Sequence, residues 1–296
     1  MKLIESEFNG VSSVEIVTDK ARIVITTGIG PRIAFLGKPN GGNLLLWEPG
    51  KYFRNNWELI GGHRVWVTRP FADECEDTYY LDTGKCEVVK TDSGWIVTAP
   101  IDPANNTRRG IAVTAKSENL FEIDNFLTNA GDMLFSGGVW ALTCTIPSSS
   151  SKYAIPLSNG GVWDFCKVVL FARWDGHVGN INDDQFSYTS DMMILSPKGK
   201  ENKRMIMAEQ GIIAMHDPDR DILFAKKSVY DPNGRYPHEC NLAVYVGPEN
   251  FMVEMETMGS ESTVRPGDTI HNYETWVLDS ARTQLDSGAL QSLFEG

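Results

Sequence analysis

The sequence predicts an all-β, antiparallel fold. Three observations carry that reading: hydrophobic residues alternate with period two in many short runs, helical periodicity is nearly absent, and turn-forming residues punctuate the runs. The first runs are Val14-Glu15-Ile16-Val17 and Arg22-Ile23-Val24-Ile25-Thr26. Ile111-Ala112-Val113-Thr114-Ala115 and residues 120–126 follow in mid-chain. Met205-Ile206-Met207, Ile222-Leu223-Phe224-Ala225, Leu242-Ala243-Val244-Tyr245-Val246, residues 251–257 and Glu274-Thr275-Trp276-Val277-Leu278 complete the series. β-Branched and aromatic side chains suit a half-buried pleated surface. Many such strands at near-regular spacing build a sandwich or barrel. The 27 glycines and 14 prolines meet its demand for turns.

Helical signals are confined to residues 280–293, a short terminal helix, and residues 55–61, a single turn. Neither sustains an i, i+3, i+4, i+7 pattern. Strands do not alternate with helices, which excludes a parallel α/β sheet. Ser148-Ser149-Ser150-Ser151 reads as a loop, no internal repeat is visible, and residues 1–296 read as one domain.

Composition narrows the function. A hydrophobic content of 42% against 22% charged residues is enough for a large core and excludes a disordered chain. The net charge of −12 argues against a nucleic-acid partner, because phosphates recruit clustered Lys and Arg. No apolar run approaches the ~20 residues of a membrane span. The first ten residues carry Glu5 and Glu7 and no apolar stretch, so no signal peptide is expected and the cytoplasm is the default location. Cys75, Cys86, Cys144, Cys166 and Cys240 form no C-x-x-C pair and read as reduced thiols. No metal site and no cofactor are expected; the oligomeric state is left open.

Two segments carry candidate chemistry. In the strand 251–257, residues two apart share a face and lie about 6.5–7 Å apart. Phe251, Val253 and Met255 then face the core, while Met252, Glu254 and Glu256 share an accessible face. Repulsion between two such carboxylates raises one pKa, the tuning a general acid or base needs; a polar face turned to water is the plain alternative. The second segment is residues 55–66, in which Gly61-Gly62 precedes His63, Arg64 and Trp66. An imidazole, a guanidinium and an indole together are the parts of a sugar site: an aromatic plate for the ring and charged donors for its hydroxyls. Arg64 and Trp66 share strand parity. A loop with a core-plugging Trp is the plain alternative here.

Asp175-Gly176-His177 and Tyr236-Pro237-His238-Glu239 are loop-like and could line a site, but without ligand spacing His177, His216, His238 and His271 read as solvated or structural. No H-E-x-x-H, Gly-rich phosphate loop or G-x-S-x-G elbow is present, which removes the usual support for metalloprotease, nucleotide-binding and serine-hydrolase readings. The acidic runs 73–77 and Asn182-Asp183-Asp184 match no calcium loop and read as solvated turns.

Several segments together resemble one family. The run 21–36, with Gly28-Ile29-Gly30-Pro31 inside it, leads into Gly42-Asn43-Leu44-Leu45-Leu46-Trp47. This resembles the first strands of galactose mutarotase-like (aldose 1-epimerase-like) proteins. Residues 252–276, with Val264-Arg265-Pro266-Gly267-Asp268 and Tyr273-Glu274-Thr275-Trp276, resemble the family's last strands. Gly-Gly-His-Arg-Val-Trp and Val-Glu-Met-Glu look closest to an uncharacterised branch. The resemblance spans almost the whole chain. It implies an antiparallel β-supersandwich with a sugar in a concave sheet cleft, Glu256 or Glu254 as base at the anomeric hydroxyl, and Arg64 as a substrate ligand.

The family's mid-chain Asn-His motif is missing, and Ser136-Gly137-Gly138-Val139-Trp140-Ala141 stands there instead. His63, or His238 from a neighbouring loop, is then the candidate proton donor, and Trp140 a stacking plate. Three functions follow in order: an aldose 1-epimerase-like isomerase, a non-catalytic sugar binder using Trp66 and Trp140, and a lyase or glycoside hydrolase. The last is disfavoured because Glu254 and Glu256, on one strand, do not flank a glycosidic bond from two sides.

Overall fold

A computed structural model describes residues 1–54, 57–68, 83–174 and 176–295, without the side chain of Arg54. Asn55, Asn56, the acidic run 73–77 with Cys75, and Asp175 lie outside the described residues. Two large sheets dominate. The first runs in the order β1 (Lys2–Phe8), β2 (Val11–Val17), β3 (Arg22–Thr26), β4 (Arg32–Gly37), β7 (His63–Thr68), β12 (Phe135–Thr145), β23 (Val253–Met258), β22 (Leu242–Val246), β19 (Asn202–Met207) and β14 (Lys167–Leu170). β24 (Ser262–Val264) pairs with the start of β12.

The second runs β17 (Phe186–Tyr188), β18 (Met192–Leu195), β13 (Lys152–Pro156), β20 (Ile212–Asp217), β21 (Ile222–Ser228), β25 (Thr269–Asp279), β11 (Leu120–Asn129), β10 (Thr107–Ala115), β9 (Gly94–Asp102) and β8 (Glu87–Lys90). Two hairpins stand outside both sheets: β5 (Trp47–Arg54) with β6 (Trp57–Gly61), and β15 (Arg173–Trp174) with β16 (His177–Val178). The fold is all-β and antiparallel, as the alternation predicts.

The main core lies between the two large sheets. Ile16, Ile23, Val65, Val244, Val253 and Met255 of the first meet Val97, Ile111, Phe121, Ile123, Phe224 and Trp276 of the second. Each is at most 2% exposed, so each has left water almost entirely, worth roughly 1.5–3 kcal/mol for a large aliphatic or aromatic side chain.

Residues 57–61 form β6 rather than a helical turn. Trp57 and Leu59 gain more from cross-strand pairing with β5 than one isolated turn offers. The terminal helix is shorter than expected: α1 covers Ser287–Ser292, capped by Asp286 and pinned by the fully buried Leu290. Gly61 and Gly62 stand at φ +92° and +75°, and a Cβ there would lie 2.3 Å from the Leu46 carbonyl oxygen and 2.6 Å from that of Ile33. Only glycine lets the chain enter β7 this close to both neighbours.

Candidate functional site

Register alone assembles the site. Trp66 lies opposite Trp140 and Arg64 opposite Leu142 across β7 and β12; Leu142 faces Glu256 and Cys144 faces Glu254 across β12 and β23. Glu254 faces Tyr245 on β22, and Tyr245 faces Lys203 on β19. Directly opposed residues share a face. Arg64, Trp66, Trp140, Glu254, Tyr245 and Lys203 therefore project together from the face of the first sheet that points away from the core, and Glu256 joins them two residues from Glu254.

A hollow of about 120 Å³ lies on this face. Trp57, Arg64 and Trp66 line it on the β7 side, Trp174, His177, Tyr245 and Lys203 on the other, with Glu254 on the central strand between them. The two hairpins supply Trp57 and the Trp174–His177 pair. The volume is below the roughly 300–1,000 Å³ of most ligand cavities.

The charges within it are matched. Arg64 donates to Glu254 Oε1 at 3.1 Å, and its guanidinium lies 4.3 Å from the Trp66 ring centre and 5.6 Å from that of Trp57. The Cys144 thiol donates to the same oxygen at 3.3 Å; burial pushes its pKa up to about 12, so it remains a donor. Glu256 is fully buried. Its Oε2 accepts from the Trp140 indole at 2.9 Å and pairs with Lys203 at 3.5 Å. The expected repulsion between the two glutamates is thus offset, with Arg64 against Glu254 and Lys203 against Glu256. On the far wall His177 Nδ1 lies 2.8 Å from Glu201 Oε1, which also accepts from the Tyr245 hydroxyl at 2.6 Å; the imidazole stacks on Trp174.

The structure separates His63 from Arg64. Successive residues of a strand point to opposite faces, so His63 goes inward with Val65 and Val67 and is fully buried. Its Nδ1 meets Thr143 Oγ1 at 2.8 Å and its Nε2 meets Asn125 Oδ1 at 2.7 Å, with Glu274 Oε2 3.8 Å away. Glu274 pairs with the buried Lys226 at 2.9 Å and accepts from Thr257 and the Trp276 indole. Burial lowers the His63 pKa to about 4, against the pull of Glu274. Burial acts to raise that of Glu274, but Lys226 and His63 outweigh it and hold the carboxyl at about 2. His63 belongs to a polar layer inside the core and does not line the hollow beside Glu254.

His238 is exposed, lies edge-on to Phe171 and does not line the hollow. Trp66 lines it but is only 2% exposed, packed between Arg64, Trp57 and Trp140. Trp140 is half-buried and serves Glu256 and Lys203. Phe251 turns toward Tyr52 on the hairpin side rather than into the main core. Asp183 is not a solvated turn residue: it is 7% exposed and accepts from Gln185 and Asn202. Sequence reasoning set His177 aside and missed Glu201, Lys203 and Tyr245. The one signal was parity, since Glu201 and Lys203 lie two apart, as do Glu254 and Glu256.

Among the described residues no group of His, Cys, Asp or Glu is placed to hold a metal ion, and no helix is long and apolar enough to cross a membrane. No protein-family model and no curated protein matches the sequence. Solved structures do match the fold. A candidate aldose 1-epimerase of Escherichia coli K12 superposes with a TM-score of 0.63 at 11% identity, covering 90% of this chain and 98% of that one. A galactose mutarotase-related enzyme of Lactobacillus acidophilus gives 0.61 at 10% identity, covering 91% and 98%. A galactose mutarotase-like protein of Lactobacillus casei gives 0.58 at 10% identity, covering 90% and 99%. The chain thus has the fold of the galactose mutarotase-like, aldose 1-epimerase-like proteins, along almost its full length.

Proposed function

We propose that the protein is an aldose 1-epimerase-like isomerase that binds a sugar in the hollow of the first sheet and interconverts its anomers. The observation that carries this reading is the meeting of Glu254 and His177 on one hollow, the imidazole backed by Glu201 at 2.8 Å. Mutarotation needs a base at the anomeric hydroxyl and an acid at the ring oxygen. Glu254 takes the hydroxyl proton while His177 donates a proton to the ring oxygen, and the C1–O5 bond breaks to the open-chain aldehyde. Rotation about C1–C2 and the reverse transfers close the other anomer. Arg64, which donates to Glu254 at 3.1 Å, stands where it can also donate to the substrate's hydroxyls, and Trp57 and Trp174 line the hollow beside the ring. Glu254 is favoured over Glu256 as base because Glu256 is enclosed by Trp140 and Lys203.

NMR exchange of a panel of aldoses tests the reading. Glu254→Gln and His177→Asn should each lower the anomer exchange rate by about 10²–10⁴-fold, in variants shown by near-UV circular dichroism to be folded. An undiminished rate in both variants overturns the assignment. The pairing of each glutamate with its own cation favours a second reading, a sugar-binding protein without turnover. Calorimetric binding with no acceleration by the wild type would select it.

A further inference from the structure

A second and larger hollow, about 480 Å³, lies on the opposite side of the molecule, on the outer face of the second sheet. Its shape follows from side-chain size. Register sets Thr114, Glu122, Thr275 and Lys227 in one row across four strands, and Ala112, Asp124 and Tyr273 in the next. Ala112, Thr114 and Thr275 are short and form a floor. Tyr273 rises on one border, and Phe294, carried there by the segment after α1, on the other.

Tyr273 is a fixed plate. The residue is 52% exposed, and its ring lies parallel to His271, with centroids 5.1 Å apart and planes 4° from parallel. His271 Nδ1 is held 2.9 Å from Asp124 Oδ1. An aromatic face ordered before a ligand arrives loses little entropy on binding. Around it stand the polar groups of Thr114, Thr275, Glu122 and Lys227, a setting for hydroxyls more than for an apolar helix or strand.

We propose that this trough is a second saccharide site, taking one neutral pyranose ring of a glycan against Tyr273. The lining favours neutral sugars: its carboxylates already have partners, Lys116 3.2 Å from Glu122 and His271 2.9 Å from Asp124, and Lys227 is the one lysine in the lining, too little positive charge to hold uronates or sugar phosphates. This site is independent of the proposed chemistry on the first sheet.

Amide-detected NMR titration of the full chain with maltohexaose, cellohexaose and mannohexaose tests it. At least one of the three should give saturable shifts at Thr114, Asp124, Tyr273 and Thr275, and these should persist in Glu254→Gln. Tyr273→Ala should weaken that binding at least tenfold, and Thr275→Arg, which fills the floor, should do the same with an unchanged melting curve. The proposal is overturned if none of the three moves these signals, or if Tyr273→Ala binds like the wild type. Shifts that grow with protein concentration alone would also overturn it, and would make the trough a contact between copies. Loss of anomer exchange in Glu254→Gln leaves these outcomes untouched, so the two readings fail separately.

Discussion

His63 offers the sharpest separation between a core histidine and a cleft acid. Buried between Thr143 and Asn125 with Lys226 nearby, it has a folded-state pKa of about 4 against the ordinary 6.5 of an exposed imidazole. The unfolded chain therefore takes up a proton that the folded chain refuses. The stability tied to this group is fully present above pH 6.5 and declines as the pH falls toward 4. The difference of 2.5 units, 6.5 minus 4, at 1.36 kcal/mol per unit corresponds to about 3 kcal/mol, of which about 2 kcal/mol is gone by pH 5. Urea denaturation of wild type and His63→Gln at pH 7 and pH 5 reads it directly. The wild type should lose about 2 kcal/mol more than the variant over that interval, because the other histidines and the carboxylates are common to both. Equal losses in the two proteins, or an NMR titration of the His63 ring near 6.5, would refute the buried assignment.

The same polar layer predicts that Lys226→Met costs about 3–5 kcal/mol by leaving Glu274 buried without its cation, while Lys226→Met combined with Glu274→Leu recovers most of it; urea midpoints of the three proteins decide. Trp140→Phe removes the indole donor from Glu256 and should cost about 1.5–3 kcal/mol, measured in the same way. In a Cys75→Ser background, a disulfide reagent at neutral pH should label Cys166, which is exposed, while Cys86, Cys144 and Cys240 react only on unfolding, since burial holds each thiol near 12. Rapid native labelling of Cys144 would contradict its burial against Arg64 and Glu254.

How much of this was legible follows from what period-two alternation encodes. Arg22-Ile23-Val24-Ile25-Thr26 and Leu242-Ala243-Val244-Tyr245-Val246 match β3 and β22 residue for residue, because each is a buried strand with abrupt polar or glycine boundaries. β15 and β16, of two residues each, left no such trace, although they carry Trp174 and His177. Two residues cannot show a period, and this hairpin is held in place by stacking and the Glu201 contact rather than by a sheet. The relation of Glu254 to Arg64, 190 residues earlier, is set by the pairings β7–β12–β23, which no local pattern announces.

The misplacement of His63 has a more general cause. Residues adjacent in sequence look like one cluster on the page, yet in a strand they are the pair of positions that cannot share a face. Applying to His63-Arg64-Val65-Trp66 the parity already applied to Glu254 and Glu256 would have sent His63 inward with Val65. The same rule explains why one strand serves two layers at once. β23 turns Glu254 and Glu256 toward the hollow, while Thr257, one residue on, donates to Glu274 beneath the sheet and accepts from Asn272. The carboxylates of the site are therefore held by a strand that is itself clamped to β25 through buried polar groups. A Thr257→Val change, which touches nothing in the hollow, should accordingly loosen that clamp, and hydrogen exchange at the Glu254–Glu256 amides should accelerate; unchanged protection there would show that the apolar contacts of Val253 and Met255 hold the strand unaided.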